Sequence, residues 1–74
     1  MSYARVKTGG RYKHYKGNIY VVVGVAAHSE TGEELVIYRQ EESGSPMFAR
    51  PLEMFVQDVE WGGKTVPRFL QLEF

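Results

Sequence analysis

At 74 residues the chain is one domain, and a core this small places any ligand site at the surface rather than in a deep cavity. It contains no cysteine, which excludes a disulfide framework and any thiolate metal site. Its net charge is zero but unevenly spread: residues 1–20 hold Arg5, Lys7, Arg11, Lys13 and Lys16 with no acid, and the remainder is net acidic. Either the basic front serves an anionic partner, or it lies beside the acidic strands and is neutralised by them.

In chain order, residues 1–9 read as a flexible N-terminus ended by Gly9-Gly10, and residues 10–74 as a single domain. They lack the apolar stretch of a secretory leader. Arg11–Tyr15 and Ile19–His28 are β-like runs joined by Lys16-Gly17-Asn18, a turn suited to a hairpin. The second run is apolar on both faces and rich in β-branched residues, with Gly24 marking a bulge or bend. Its apolar stretch, Ile19–Ala27, is nine residues and too short to span a bilayer. After the turn Ser29-Glu30-Thr31-Gly32 comes a third strand, Leu35–Gln40, then a polar loop to Pro46 and a short fourth strand, Met47–Arg50. Pro51 and Glu53 suit the first turn of a helix, and one 3₁₀ turn is expected there. Val56–Trp61 is a fifth strand, Gly62-Gly63 a tight turn and Lys64–Val66 a return ended by Pro67; the tail Arg68–Phe74 adds an edge strand. Val21, Val23, Val25, Leu35 and Ile37 are the expected core. Five to six short antiparallel strands with one 3₁₀ turn predict an all-β fold, by analogy a small SH3-like barrel.

Four segments in order, Arg11-Tyr12-Lys13-His14-Tyr15-Lys16-Gly17-Asn18, His28-Ser29-Glu30-Thr31-Gly32, Arg50-Pro51-Leu52-Glu53-Met54-Phe55 and Val66-Pro67-Arg68-Phe69, resemble the bacterial domain-of-unknown-function family sixteen-fifty-three. The resemblance covers about residues 10–70 and implies a small stand-alone bacterial domain with an SH3-like barrel and no assigned activity. The chain departs from that pattern at Met47-Phe48-Ala49, where the family tends to carry a tryptophan.

Several fragments mimic catalytic motifs. Gly63-Lys64-Thr65 resembles the end of a phosphate-binding loop, but Asp58 stands where the first glycine belongs and Pro67 follows instead of a helix. The spacing of Thr31 and Glu34 matches a helix capping box, yet Leu35 to Tyr38 alternate as a strand. His14 and His28 are the only histidines; with Glu30 they would make a three-ligand metal site only if the strands brought them together, and otherwise they anchor turns. No nucleophile stands on a strand–turn–helix elbow, and Glu33-Glu34 and Glu41-Glu42 read as solvated charges. Most of Tyr12, Tyr15, Tyr20, Tyr38, Phe48 and Trp61 are needed to fill a small core.

The residues therefore predict a cytoplasmic, non-enzymatic binding module, monomeric or weakly dimeric, with no cofactor, metal or membrane contact. Its expected ligand is a peptide or a small anion, held in a shallow groove by Tyr12, His14, Tyr15, His28, Glu30, Arg50 and Arg68. Arg50 and Arg68 each adjoin a proline that stiffens the backbone, which suits a preorganised anion contact; ion pairs with Glu30 or Glu53 are the structural alternative. Convergence of His14, His28 and Arg50 on one end of the barrel is the geometric expectation. The alternative partner is RNA or single-stranded nucleic acid, bound by the basic, tyrosine-bearing first strand, and a small metal-dependent enzyme is the third and least favoured reading.

Overall fold

The computed structural model describes residues 6–72. Its elements follow the turn signals closely: β1 (Arg11–His14), β2 (Ile19–Ala27), β3 (Glu34–Gln40), β4 (Met47–Pro51), α1 (Leu52–Phe55), β5 (Asp58–Trp61), β6 (Lys64–Pro67) and β7 (Phe69–Gln71). Five strands form an antiparallel sheet in the order β4-β3-β2-β1-β7, while β5 and β6 form a separate two-stranded hairpin. The all-β reading holds, with two corrections. Seven strands replace five to six, and a four-residue α-helix stands where a 3₁₀ turn was expected. Among the described residues no ladder closes the large sheet on itself; β4 and β7 are its two edges, so the expected barrel is open.

Residues 1–5 of the expected flexible N-terminus lie outside the described residues, as do residues 73 and 74 of the tail. Residues 6–9 belong to the fold. Val6 is buried, the Lys7 amide donates to the Tyr12 hydroxyl at 3.0 Å, and the Gly9 amide donates to the Val22 carbonyl at 2.8 Å.

The core lies on the opposite face from the one expected. Val22, Val36 and Tyr38 are buried, whereas Val23 is 41% exposed and Val21, Val25, Leu35 and Ile37 are only half-buried. One cause is a bulge at the predicted place. Val22 pairs with Tyr38 and Gly24 with Ile37, which leaves Val23 as the extra residue. A bulge shifts the two-residue alternation by one position, so Val21, Val23 and Val25 cannot share a face. The other cause is that β3 is apolar on both sides, and the side carrying Tyr38 meets the larger partners. Tyr38 packs against Tyr20, Phe55 and Phe69 with ring centroids 5.4–5.5 Å apart.

α1 covers this aromatic face. Pro51, extended at φ −53° and ψ 137°, delivers the chain into it, as a proline before the first helical residue can. Leu52 and Phe55, three residues apart, fall on one side of the single turn and are buried; Glu53 and Met54 are exposed. Phe55 stacks on Phe69 of β7 with centroids 4.1 Å apart and planes 5° from parallel, and meets Tyr12 edge-on at 5.4 Å. The β5–β6 hairpin turns through Gly62 and Gly63, both at positive φ, which two-residue hairpin loops require. The phosphate-loop fragment is thus a hairpin.

These assignments predict unequal costs at neighbouring valines. Val22→Ala should lower unfolding free energy by about 1–3 kcal/mol, through lost burial plus a cavity. Val23→Ala, at the exposed bulge, should cost less than about 0.5 kcal/mol. Equal losses in urea unfolding would contradict the assigned face.

Candidate functional site

The β1–β2 turn fixes the first predicted residue. The His14 amide donates to the Asn18 carbonyl at 2.8 Å, and the Gly17 amide, at φ 119°, donates to the His14 carbonyl at 2.7 Å. The Lys16 amide donates to His14 Nδ1 at 3.1 Å, which requires that nitrogen to be unprotonated and leaves Nε2 as the ring's donor. The imidazole stacks on Tyr15 at 4.5 Å and meets Phe69 edge-on at 5.0 Å.

Two guanidiniums approach the same ring. Arg50, from β4, donates through Nε to the Tyr38 hydroxyl at 3.3 Å and lies 6.0 Å from the centroid of Phe69. Arg68, between β6 and β7, donates its amide to the Gln57 carbonyl at 3.0 Å while its own carbonyl accepts from the Tyr15 amide at 3.0 Å. Its Nη2 reaches Gln57 Oε1 at 3.5 Å, and its Nε is buried with no hydrogen-bond partner among the described residues. Desolvation first, then the positive charges of Arg50, Lys16 and Arg68, push the His14 imidazole below its ordinary value. Every charge in that set is positive, and the side-chain bonds of Arg50 and Arg68 go to neutral oxygens. The arrangement is a cationic rim on an aromatic floor, and among the described residues the side-chain hydrogen bonds of its two arginines go to no carboxylate.

His14, Tyr15, Arg50 and Arg68 therefore come together, and the other three predicted residues do not join them. Tyr12 is buried at 4% exposure, its ring against Phe55 and its hydroxyl accepting from the Lys7 amide, so it is core rather than groove. His28 lies just past the far end of β2, on the order of 30 Å of extended chain from Ile19 at about 3.3 Å per residue. Its Nδ1 accepts from the Glu30 and Thr31 amides at 3.1 and 3.4 Å, which makes it the anchor of the β2–β3 turn. Glu30 is exposed in that same turn. Of the expected convergence of His14, His28 and Arg50, the structure brings His14 and Arg50 together and leaves His28 apart, because β2 leaves its pairing with β1 at Val21 and continues along β3 to Ala27. Among the described residues no three of His, Cys, Asp and Glu stand close enough to hold a metal ion.

Trp61, Lys13, Val66, Pro67 and Leu70 were not among the expected site residues. With His14 and Tyr15 they line a groove of about 270 Å³ beside the cluster. Trp61, 52% exposed, meets Tyr15 edge-on at 5.1 Å. The sequence signal was there: Gly62-Gly63 puts Trp61 at the tip of a hairpin, where a large ring has little core to enter. A larger hollow of about 400 Å³, lined by Gly17, Asn18, Ile19, Gln40, Glu41 and Glu42, contains none of the predicted residues. Glu41 on its wall is engaged with Arg11, Nε to Oε2 at 2.6 Å, which raises the arginine's pKa and removes one cation from the basic front.

A lowered imidazole value has a signed consequence. The folded chain holds the His14 proton less tightly than the unfolded chain, so this group's contribution to stability is fully present above the ordinary imidazole value and is lost as pH falls from there through the lower folded value. Denaturation between about pH 7.5 and pH 5.5 should show stability falling, and His14→Gln should flatten the fall. An unchanged or steeper slope in the variant would contradict the lowered imidazole value that burial and the neighbouring cations give His14.

Comparison with known proteins agrees with this architecture. The family model described as "Protein of unknown function (DUF1653)" matches residues 10–71. A crystal structure of a DUF1653 protein from Bordetella bronchiseptica superposes with a TM-score of 0.78 at 34% sequence identity, covering 92% of this chain and 90% of that one. No curated protein matches the chain. With the family model spanning the strands, the helix and the His14–Arg50–Arg68 cluster alike, the chain belongs to the DUF1653 family.

Proposed function

We propose that this domain is a non-enzymatic binding module that takes the anionic group of a peptide or small ligand at the His14–Arg50–Arg68 cluster. The observation that carries the reading is geometric: the Arg50 guanidinium lies 6.0 Å from the centroid of Phe69, the ring that His14 meets edge-on at 5.0 Å, Arg68 is tied through its carbonyl to the Tyr15 amide next to His14, and the side-chain hydrogen bonds of both arginines go to neutral oxygens. A cluster of like charges is costly to assemble and is relieved by a bound anion. Arg50 is braced by the Tyr38 hydroxyl and the Phe69 face, so little side-chain entropy remains to be lost on binding. Arg68 has a buried Nε–H with no acceptor among the described residues, which leaves the anion contact to its Nη nitrogens.

The nucleic-acid reading is less supported. On the basic strand Arg11 is committed to Glu41 and Tyr12 to the core, which removes a cation and a stacking ring from the proposed track.

Titration with acetate or inorganic phosphate at constant ionic strength tests the proposal through the imidazole proton resonances. His14 should shift saturably and its pKa should rise, because a bound anion favours the charged ring. His28, at the far end of β2, is the internal control and should not respond. Arg50→Gln combined with Arg68→Gln should abolish the His14 response. Parallel shifts of both histidines, or a response that survives the double substitution, would overturn the proposal.

A further inference from the structure

The groove and the cationic cluster meet at one residue. His14 lines the groove with Tyr15, Trp61, Val66, Pro67 and Leu70; its ring also meets Phe69 at 5.0 Å, the ring beside which the Arg50 guanidinium lies, and Arg68 accepts through its carbonyl from the Tyr15 amide next to it. We infer that the ligand of this site is a peptide C-terminus whose last side chain is apolar, the side chain filling the Tyr15–Trp61 groove and the terminal carboxylate lying against His14 and Arg68. This deepens the anion-binding reading and rests on it.

Three observations select that chemistry. The first is juxtaposition. A terminal residue carries its side chain and its carboxylate on the same carbon, so a ligand of this kind needs an apolar slot and an anion site within one residue's breadth, and the two adjoin at His14. The second is size. At about 270 Å³ the groove is smaller than the roughly 300–1,000 Å³ pockets that take drug-sized ligands, and it suits a single aliphatic or aromatic side chain. The third is the nature of the wall. Val66, Leu70 and Pro67 offer carbon, and Pro67 has no backbone N–H to give. A nucleobase placed there would lose its hydrogen bonds to water without replacement, whereas a leucine or phenylalanine side chain has none to lose. Charge complements the choice: Lys13 lines the groove, and the Lys16 ammonium lies 5.8 Å from the Tyr15 ring centroid. The exposed face of Trp61 supplies the large, rigid contact area that such anchors use.

Trp61 is the only tryptophan, so its fluorescence reports on the groove directly. The probes are the blocked tripeptide acetyl-Gly-Gly-Phe as the free acid, the same peptide as its C-terminal amide, and adenosine 5′-monophosphate. The free acid should change the emission saturably, and the amide should bind at least about tenfold more weakly, the effect of losing a charge-assisted contact. Arg68→Gln should bring the acid down to the affinity of the amide. Leu70→Glu, at a position 51% exposed and therefore tolerant of substitution, should weaken both peptides by placing a charge in the slot. Equal binding of acid and amide, tighter binding of adenosine monophosphate than of the acid, or no saturable change up to about 10 mM peptide would overturn the inference. If acetate moves the His14 resonances while the free acid leaves Trp61 emission unchanged, the anion site stands and the peptide assignment falls. If neither responds, both fall.

Discussion

The stack of Phe55 on Phe69 is the contact on which the rest of this structure depends. One ring comes from a single turn of helix and the other from a three-residue edge strand, neither of which could hold its place alone. Their planes lie 5° from parallel with centroids 4.1 Å apart. Tyr12, Tyr38 and His14 then pack around the pair edge-on, at 5.0–5.5 Å. An open sheet with two free edges would leave its apolar face wet. The stack closes that face by pinning α1 across it and drawing β7 into line beside β1.

The same rings serve as the floor of the candidate site, so packing and the proposed binding draw on the same residues. Phe69 supports the Arg50 guanidinium on its face and the His14 imidazole at its edge. Tyr38 is buried with the core yet offers its hydroxyl to Arg50. In a chain of 74 residues there is too little interior to build a core and a site from different residues. One aromatic cluster facing inward on one side and carrying cations on the other meets both needs. The position of Arg68 follows from the backbone: its amide and carbonyl tie Gln57 to Tyr15, bridging the segment after α1 to the β1–β2 turn and thereby placing the β5–β6 hairpin, with Trp61 at its tip, beside β1.

Turn chemistry was the most legible part of the sequence. Gly17, Gly32 and Gly62-Gly63 mark loops, and Pro51 marks the entry to the helix, because positive φ and a locked φ are local requirements. The bulge near Gly24 was legible too, but its consequence for side-chain phase was not. Val22 and Val23 are the same residue type one position apart, and only the pairing with β3 decides which is buried. Strands apolar on both faces carry no alternation from which to read the inner side, and β2 and β3 are both of this kind. In the site, Arg50, Arg68, His14 and Tyr15 were identified from polar groups that turns alone do not need. His28 and Glu30 were not separable from them by sequence, since a histidine anchoring a turn through Nδ1 has the same local signature at both ends of β2. For Trp61 the Gly62-Gly63 turn signalled exposure at a hairpin tip, but not the neighbour it meets there, since Tyr15 lies forty-six positions away in the chain.

If the stack is the keystone, the two phenylalanines must be energetically coupled beyond their separate burial. A double-mutant cycle with Phe55→Leu, Phe69→Leu and the pair, read by urea unfolding, measures that coupling directly. The account predicts a favourable interaction of about 0.5–1.5 kcal/mol, the range for stacked aromatic pairs, so that the double variant loses less than the sum of the singles. Strictly additive losses would contradict it, and would leave the strand ladder rather than the aromatic pair as what holds α1 and β7 in place.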